Sequence, residues 1–160
     1  MENKQNHKKG FTLIELLVVV AIMGMLAALA VVSLNNARQR ARDARRVSDI
    51  KQIQTALELY FLDNATYPAT DTTDYGYISG DCLSSGVGFA DDCSDTVYMA
   101  VVPNNPKPYN DGATPCAEEY SDYLYTRDDT TTYSIKYCVG TAIGQIDAGT
   151  HVATPAGISD

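Results

Sequence analysis

The sequence predicts an α+β fold in which a long N-terminal helix packs on a small antiparallel β-sheet head. Three features support this prediction: an apolar stretch at residues 11–34, an amphipathic pattern that continues to about Leu62, and short alternating segments after Pro68. The inner half of the helix is expected to lie in a membrane. A chain of 160 residues has room for one head of ordinary size.

The apolar stretch at residues 11–34 contains one ionisable side chain, Glu15. As a helix, its 24 residues would reach about 36 Å, which is enough to cross a bilayer. The stretch is longer than the core of a secretory signal, and no small-residue cleavage site follows it, so it is expected to stay in the mature protein. Gly24 and nearby alanines would let such helices approach closely, although a lone anchor explains them equally well.

Glu15 is the strongest functional signal in this stretch, because a carboxylate in lipid is costly unless it is neutralised or paired. Residues 11–34 contain no Lys, Arg or His. The counter-charge is therefore expected from another chain, from the membrane interface, or from an α-amine made by cleavage between Gly10 and Phe11. A protonated or snorkelling Glu15 is the alternative.

The ten residues from Lys8 to Leu17, KKGFTLIELL, closely resemble the class III signal peptide of type IV pilins and type II secretion pseudopilins. The resemblance implies that a prepilin peptidase cuts after Gly10 and that the new N-terminal Phe11 is methylated. It also implies that Glu15 engages the N-terminal amine of an adjacent subunit during assembly. Similarity to G-type major pseudopilins and related pilins continues through the segments DARRVSDI and DNATYP, so the resemblance covers about the first 68 residues.

This resemblance implies a type IV pilin-like fold and a division of the chain into four parts. They are a cleaved leader at 1–10, a transmembrane and polymerisation helix at 11–34, an amphipathic helix and its end at 35–68, and a globular head at 69–160. The head is expected to contain an αβ-loop, a β-hairpin and a disulfide-bearing C-terminal region. Many family members have a proline in the membrane helix where this chain has Val32, so any local melting during assembly would depend on Gly24.

The segment after the apolar stretch is basic and amphipathic. Residues 35–51, the neck, carry six basic and two acidic side chains, a net charge of +4. Apolar residues from Val47 to Phe61 recur at three- and four-residue steps, which predicts a helix with one buried face that ends near Asp63 and Asn64. The neck arginines are expected either to meet the acidic heads of stacked neighbours or to form a solvated or lipid-facing collar.

Two signals disagree on the orientation in the membrane. The neck has six basic residues and the leader has three, so the positive-inside rule alone places the neck in the cytoplasm. The cysteines and the family resemblance place the head outside the cytoplasm, and we follow them. The expected location is the inner or cytoplasmic membrane, crossed once, and after assembly a cell-surface pilus or a periplasmic pseudopilus.

The head is predicted to be a small sheet with long irregular connections. Strands are expected at 122–126 and 132–139 as a hairpin, with a third strand within 149–155, while 69–120 looks irregular. Four cysteines allow three complete pairings, and short loops favour Cys82 with Cys93 and Cys116 with Cys138. Such bridges indicate an oxidising compartment, and the spacings do not favour a zinc site.

No catalytic motif is present, so the protein is not expected to be an enzyme. No cofactor is expected, although adjacent acids such as Asp128 and Asp129 make calcium a weak candidate. Residues 52–160 carry three basic and sixteen acidic side chains, and this net charge of −13 excludes nucleic acid as a partner of the head.

The sequence and the resemblance together predict a structural subunit, a pilin or pseudopilin that polymerises through its N-terminal helix. The filament would be a type IV pilus or a type II secretion pseudopilus. Expected partners are copies of the chain, a prepilin peptidase, an inner-membrane assembly platform, minor pilins or pseudopilins, and the lipid bilayer. The alternative is a membrane-anchored extracellular binding domain that stays monomeric.

Overall fold

The structure, a computed structural model, describes residues 11–69, 75–108, 116 and 122–159. The leader at 1–10, including the predicted processing residue Gly10, lies outside the described residues. The chain divides into two compact units, one ending at Ala37 and one beginning at Arg38, and the boundary falls within helix α1.

Helix α1 spans Leu13–Asn64, so one helix runs without a break from the apolar stretch through the amphipathic segment, as predicted. Its neck is rich in good helix formers and contains no proline. The residue after the helix, Ala65, has a positive φ of 54°, the left-handed conformation common after a helix C-terminus. There the Ala65 amide donates to the Phe61 carbonyl at 2.8 Å, and the Asn64 side chain donates to the Tyr60 carbonyl at 2.9 Å.

In the first unit, every residue from Phe11 to Ala37 is exposed. Glu15 is the one acidic residue in the first turn of α1. Among the described residues, α1 is the one helix that is long and apolar enough to cross a membrane.

In the second unit, α1 buries the predicted apolar face, with Val47, Ile50, Ile53, Leu57 and Tyr60 at its centre. Three polar residues of the neck, Asp43, Arg46 and Asp49, are also buried, so the buried face is not purely apolar.

The larger sheet has five antiparallel strands in the order β1-β5-β6-β7-β8. The predicted hairpin is confirmed as β5 and β6, and the third predicted strand as β7. The bounds are β1 Tyr75–Tyr77, β5 Leu124–Arg127, β6 Tyr133–Val139, β7 Gly149–Thr154 and β8 Gly157–Ser159.

The prediction that 69–120 is irregular was wrong for much of its described part. Besides β1, this part forms a second antiparallel sheet in the order β3-β2-β4, with β2 Cys82–Ser84, β3 Gly88–Ala90 and β4 Val97–Met99. Strands of three residues are too short to show alternation, and all three residues of β2 are buried.

One core joins α1 to both sheets, and tyrosines make up much of it. Tyr123, Tyr125, Tyr133 and Tyr137 are almost completely buried and belong to the same apolar cluster as Ile50 and its neighbours on α1. The Tyr125 hydroxyl donates to the Pro68 carbonyl at 2.8 Å. Burial raises the pKa of the Tyr125 phenol far above its usual range, so this hydroxyl stays protonated and keeps its proton for the hydrogen bond.

Candidate functional site

The first turn of α1 is closed by a reciprocal contact between Thr12 and Glu15. The Thr12 amide and hydroxyl donate to Glu15 Oε2 at 3.0 and 2.9 Å, and the Glu15 amide donates to the Thr12 hydroxyl at 3.3 Å. This arrangement is a capping box, in which a hydroxyl residue and a glutamate three positions later satisfy each other's backbone amides. The sequence analysis missed it, although the spacing Thr-x-x-Glu is its usual signature.

The capping box fixes where the Glu15 charge lies. Its carboxylate is held at the positive end of the helix dipole, against the amide of Thr12. Phe11, the residue before Thr12, is 86% exposed. The predicted processing residue and the predicted assembly acid therefore lie at the same end of the helix, where an α-amine on Phe11 would form.

Gly24, the third predicted assembly residue, makes no close packing contact within the chain. A Cβ added to it would have nothing within 4 Å apart from its own helix and its chain neighbours. The fold of the isolated chain therefore does not require a glycine here. Any requirement for its small size must come from another molecule packed on the apolar stretch.

The neck contains a buried ion pair that the sequence analysis did not predict. Arg46 Nη1 lies 2.5 Å from Asp43 Oδ1, and both side chains are completely buried. The rest of the Arg46 guanidinium donates to Asn105 Oδ1 at 2.8 Å and to the carbonyls of Pro106 and Pro108 at 2.8 and 2.6 Å. A paired charge with this many donors in use is the form in which a buried arginine is tolerated.

Asp43 fastens the same turn of α1 to the loop after β6. It accepts from the Gly140 amide at 3.0 Å and from the amide and hydroxyl of Thr141 at 2.8 and 2.7 Å. Together with Arg46, it connects the beginning of the head's helix to two separate loops, at 105–108 and at 140–141.

Asp49, the second neck acid, is also turned inward. It is 4% exposed and accepts from the Tyr123 hydroxyl at 3.0 Å. Burial raises the pKa of the Asp49 carboxyl, although the Tyr123 hydrogen bond and the Arg45 charge both act to lower it. The Arg45 guanidinium is 3.8 Å away, and its side chain is 65% exposed.

The structure joins Cys82 to Cys93 and Cys116 to Cys138, the pairing that short loops favour. The first bridge begins in β2 of the smaller sheet, and the second holds the chain at Cys116 against β6 of the larger sheet. Both bridges lie within the head, where they fasten parts of the chain that contain little regular structure.

Asp128 and Asp129, the weak calcium candidates, lie in the turn between β5 and β6. Asp129 accepts from the amide and hydroxyl of Thr131 at 2.6 and 2.8 Å, and these hydrogen bonds lower the pKa of its carboxyl. Asp128 accepts from Ser134 at 3.5 Å. Within the described part of the chain, no three or more metal-ligating side chains of His, Cys, Asp or Glu lie together.

Comparison with known proteins bears on the N-terminal part of the chain. A family model described as "Prokaryotic N-terminal methylation motif" matches residues 5–31. The chain is similar to "Type II secretion system core protein G" of several bacteria. Identity is 43% over 68 residues for Klebsiella michiganensis, covering 42% of this chain and 48% of that protein, and 43% over 68 residues for Vibrio cholerae serotype O1, covering 42% and 47%.

The corresponding protein of Escherichia coli K12 is 44% identical over 64 residues, covering 40% of this chain and 44% of that protein. The chain thus spans about half the length, or less, of the curated relatives it matches. No solved structure matches the chain. These matches confirm the resemblance to the methylation motif, at residues 5–31, and to G-type pseudopilins, and the fold is the predicted α+β arrangement.

Proposed function

We propose that this chain is a type II secretion pseudopilin, a structural subunit that polymerises through its N-terminal helix after cleavage between Gly10 and Phe11. The methylation motif matched at residues 5–31 and the 43% identity over 68 residues to core protein G support this proposal. The similarity to type II secretion proteins favours a secretion pseudopilus over a type IV pilus. Neither the similarity nor the fold indicates an enzyme.

The observation that carries the proposal is the bare apolar half of α1. Its large side chains, from Phe11 to Leu34, are between 49% and 86% exposed. Burying such side chains contributes about 1.5 to 3 kcal/mol each, so this surface needs either lipid or other helices around it. A subunit that moves from a bilayer into a helical bundle satisfies the need at both stages.

Glu15 supplies the specificity of that move. A carboxylate in the apolar stretch is tolerated in lipid when it is neutralised, and it gains most by meeting a positive group in the same apolar surroundings. The amine on a neighbour's processed Phe11 would be such a group. Thr12 acts as a positioning residue, because its two hydrogen bonds keep the carboxylate at the helix end.

The remaining parts of the proposal follow from this role. The chain would cross the inner membrane once, with the disulfide-bearing head outside the cytoplasm, where thiols are oxidised. It would be cut and methylated by a prepilin peptidase and would assemble on an inner-membrane platform together with minor pseudopilins. The lipid bilayer and copies of the chain would be its direct contacts.

The test uses the full chain, co-expressed with a prepilin peptidase, and its Glu15→Gln variant. We expect the variant to be processed normally by mass but to give at least a tenfold lower yield of cross-linked oligomers in membranes. The matched control is Glu58→Gln, the same change on the same helix within the head, where the Tyr67 hydroxyl donates to Glu58 at 2.9 Å. Equal oligomer yields from Glu15→Gln, Glu58→Gln and the unchanged chain would contradict the proposal.

A further inference from the structure

The charges of the neck are sorted between the inside and the outside of the fold. Both of its acids, Asp43 and Asp49, are buried, and the one buried base is Arg46, which pairs with Asp43. Arg38, Arg40 and Arg45 are exposed, and we call these three residues the basic collar. Residues 35–51 are all described, and no acidic side chain among them is exposed, so the surface of the neck is more positive than its sequence indicates.

The collar begins directly after the apolar stretch. At about 1.5 Å per residue, Arg38 follows Leu34 by about 6 Å and Arg40 follows it by about 9 Å. The headgroup layer is about 5 to 8 Å thick on each side of the hydrocarbon core, so Arg38 would lie within it, and Arg40 would start just beyond it and reach it with its long side chain. Arg45 follows Leu34 by about 17 Å and Lys51 follows it by about 26 Å, so both start beyond the headgroup layer, and Lys51 starts about two screening lengths beyond it.

The collar occupies two opposite sides of the helix. Successive residues are about 100° apart, so Arg38 and Arg40 point about 160° away from each other, while Arg45 returns to the side of Arg38. A neighbouring protein surface would engage one side of the helix. Lipid headgroups meet it from all sides, and this distribution therefore favours them over the acidic head of a second copy.

We propose that the basic collar binds anionic phospholipid headgroups on the face of the membrane next to the head. The buried Asp43–Arg46 pair supports this role, because it removes from the neck surface a carboxylate that the phosphates would repel. The inference depends on the membrane anchoring in the proposed function but not on polymerisation.

The experiment measures lipid binding to the full chain in detergent, without peptidase or assembly factors. Native mass spectrometry would compare adducts with dioleoyl phosphatidylglycerol and dioleoyl phosphatidylcholine. Each arginine at headgroup level is expected to contribute about fivefold, so Arg38→Gln with Arg40→Gln should lower the preference for phosphatidylglycerol by about 10- to 25-fold. Replacing both arginines by lysine should retain most of it.

Lys51→Gln is the matched control, because it removes one exposed cation from the same helix at a greater distance from the apolar stretch. It should leave the lipid preference unchanged, and Arg45→Gln should have an intermediate effect. An unchanged preference in the double variant, or an equal loss in Lys51→Gln, would overturn the inference. It would also be overturned if the double variant lost cross-linked oligomers while keeping its lipid preference, since the collar would then serve a neighbouring subunit. Loss of oligomers in Glu15→Gln does not affect this measurement.

Discussion

Replacing Arg46 by alanine should destabilise the head far more than the same change at the neighbouring Arg45. Arg46 is completely buried and makes an ion pair with Asp43 and three further hydrogen bonds to the loop at 105–108. Its removal leaves Asp43 as a buried charge that keeps only the donors at 140–141. The Arg45 side chain is 65% exposed, and its Nε lies 3.8 Å from Asp49 Oδ2.

The expected magnitudes differ because the two arginines have different surroundings. Breaking a buried pair by removing one partner costs about 3 to 5 kcal/mol, whereas an exposed pair contributes about 0 to 1 kcal/mol. A loss of about 3 to 5 kcal/mol is a large part of the stability of an ordinary domain. It should lower the unfolding midpoint by about 10 °C or more.

The assay is thermal unfolding of the full chain in detergent, followed by near-ultraviolet circular dichroism. This signal reports on the head, because every tyrosine of the sequence is at residue 60 or beyond and six of them belong to the buried core. If Arg46→Ala and Arg45→Ala have midpoints within about 2 °C of each other, the buried pair is not the clamp described above. A second variant, Asp43→Asn, keeps acceptor capacity for Thr141 and should lose less stability than Arg46→Ala.

Three further predictions concern the head, each measured by unfolding of the full chain in detergent. Gly88→Ala should be at least about 1 kcal/mol more destabilising than Gly144→Ala. Both glycines have a positive φ, but only a Cβ on Gly88 would clash with the Ala69 carbonyl, so equal losses of stability would contradict this. The pKa of Asp49 is raised in the folded state, so ionising this carboxyl costs stability, and its contribution to the free energy of unfolding should fall as pH rises above 3.8. Asp49→Asn should remove that part of the pH dependence. The same pH profile in the variant and the unchanged chain would contradict this. Replacing Cys116 and Cys138 by serine should cost about 2 to 5 kcal/mol, and a midpoint that is unchanged would show that this bridge is dispensable.

The long helix and the larger sheet could be predicted because their signals are local and repeated. The apolar face from Val47 onward recurs over several turns, and Pro68 limits where the helix can end. Strands β6 and β7 are seven and six residues long, which is enough for alternation to show in β6 between buried Tyr133, Ile135 and Tyr137 and the half-exposed residues between them.

The buried pair could not be predicted because its surroundings come from distant parts of the chain. An Asp and an Arg three positions apart in an arginine-rich run are typical of an exposed helix surface. Asp43 and Arg46 are buried because the loops at 105–108 and 140–141 cover them, about 60 and 98 residues further along the chain. No local pattern in the neck indicates these loops.

The Thr12–Glu15 capping box shows a different limit. Its spacing is a recognised local signature, but the cost of the carboxylate in lipid directed the interpretation of Glu15 toward an outside partner. The structure shows that the carboxylate already has an internal role, holding the first turn of α1. An outside amine therefore has to compete with, or add to, these two hydrogen bonds from Thr12.

The central claim is tested most directly by the distance between the Glu15 carboxylate and the nearest N-terminal nitrogen in an assembled fibre, determined by cryo-electron microscopy. The account predicts fibres in which the processed Phe11 amine of an adjacent subunit lies within about 4 Å of that carboxylate, the range of an ion pair. Fibres in which every neighbouring amine is more than about 10 Å away, beyond the screening length, would contradict it.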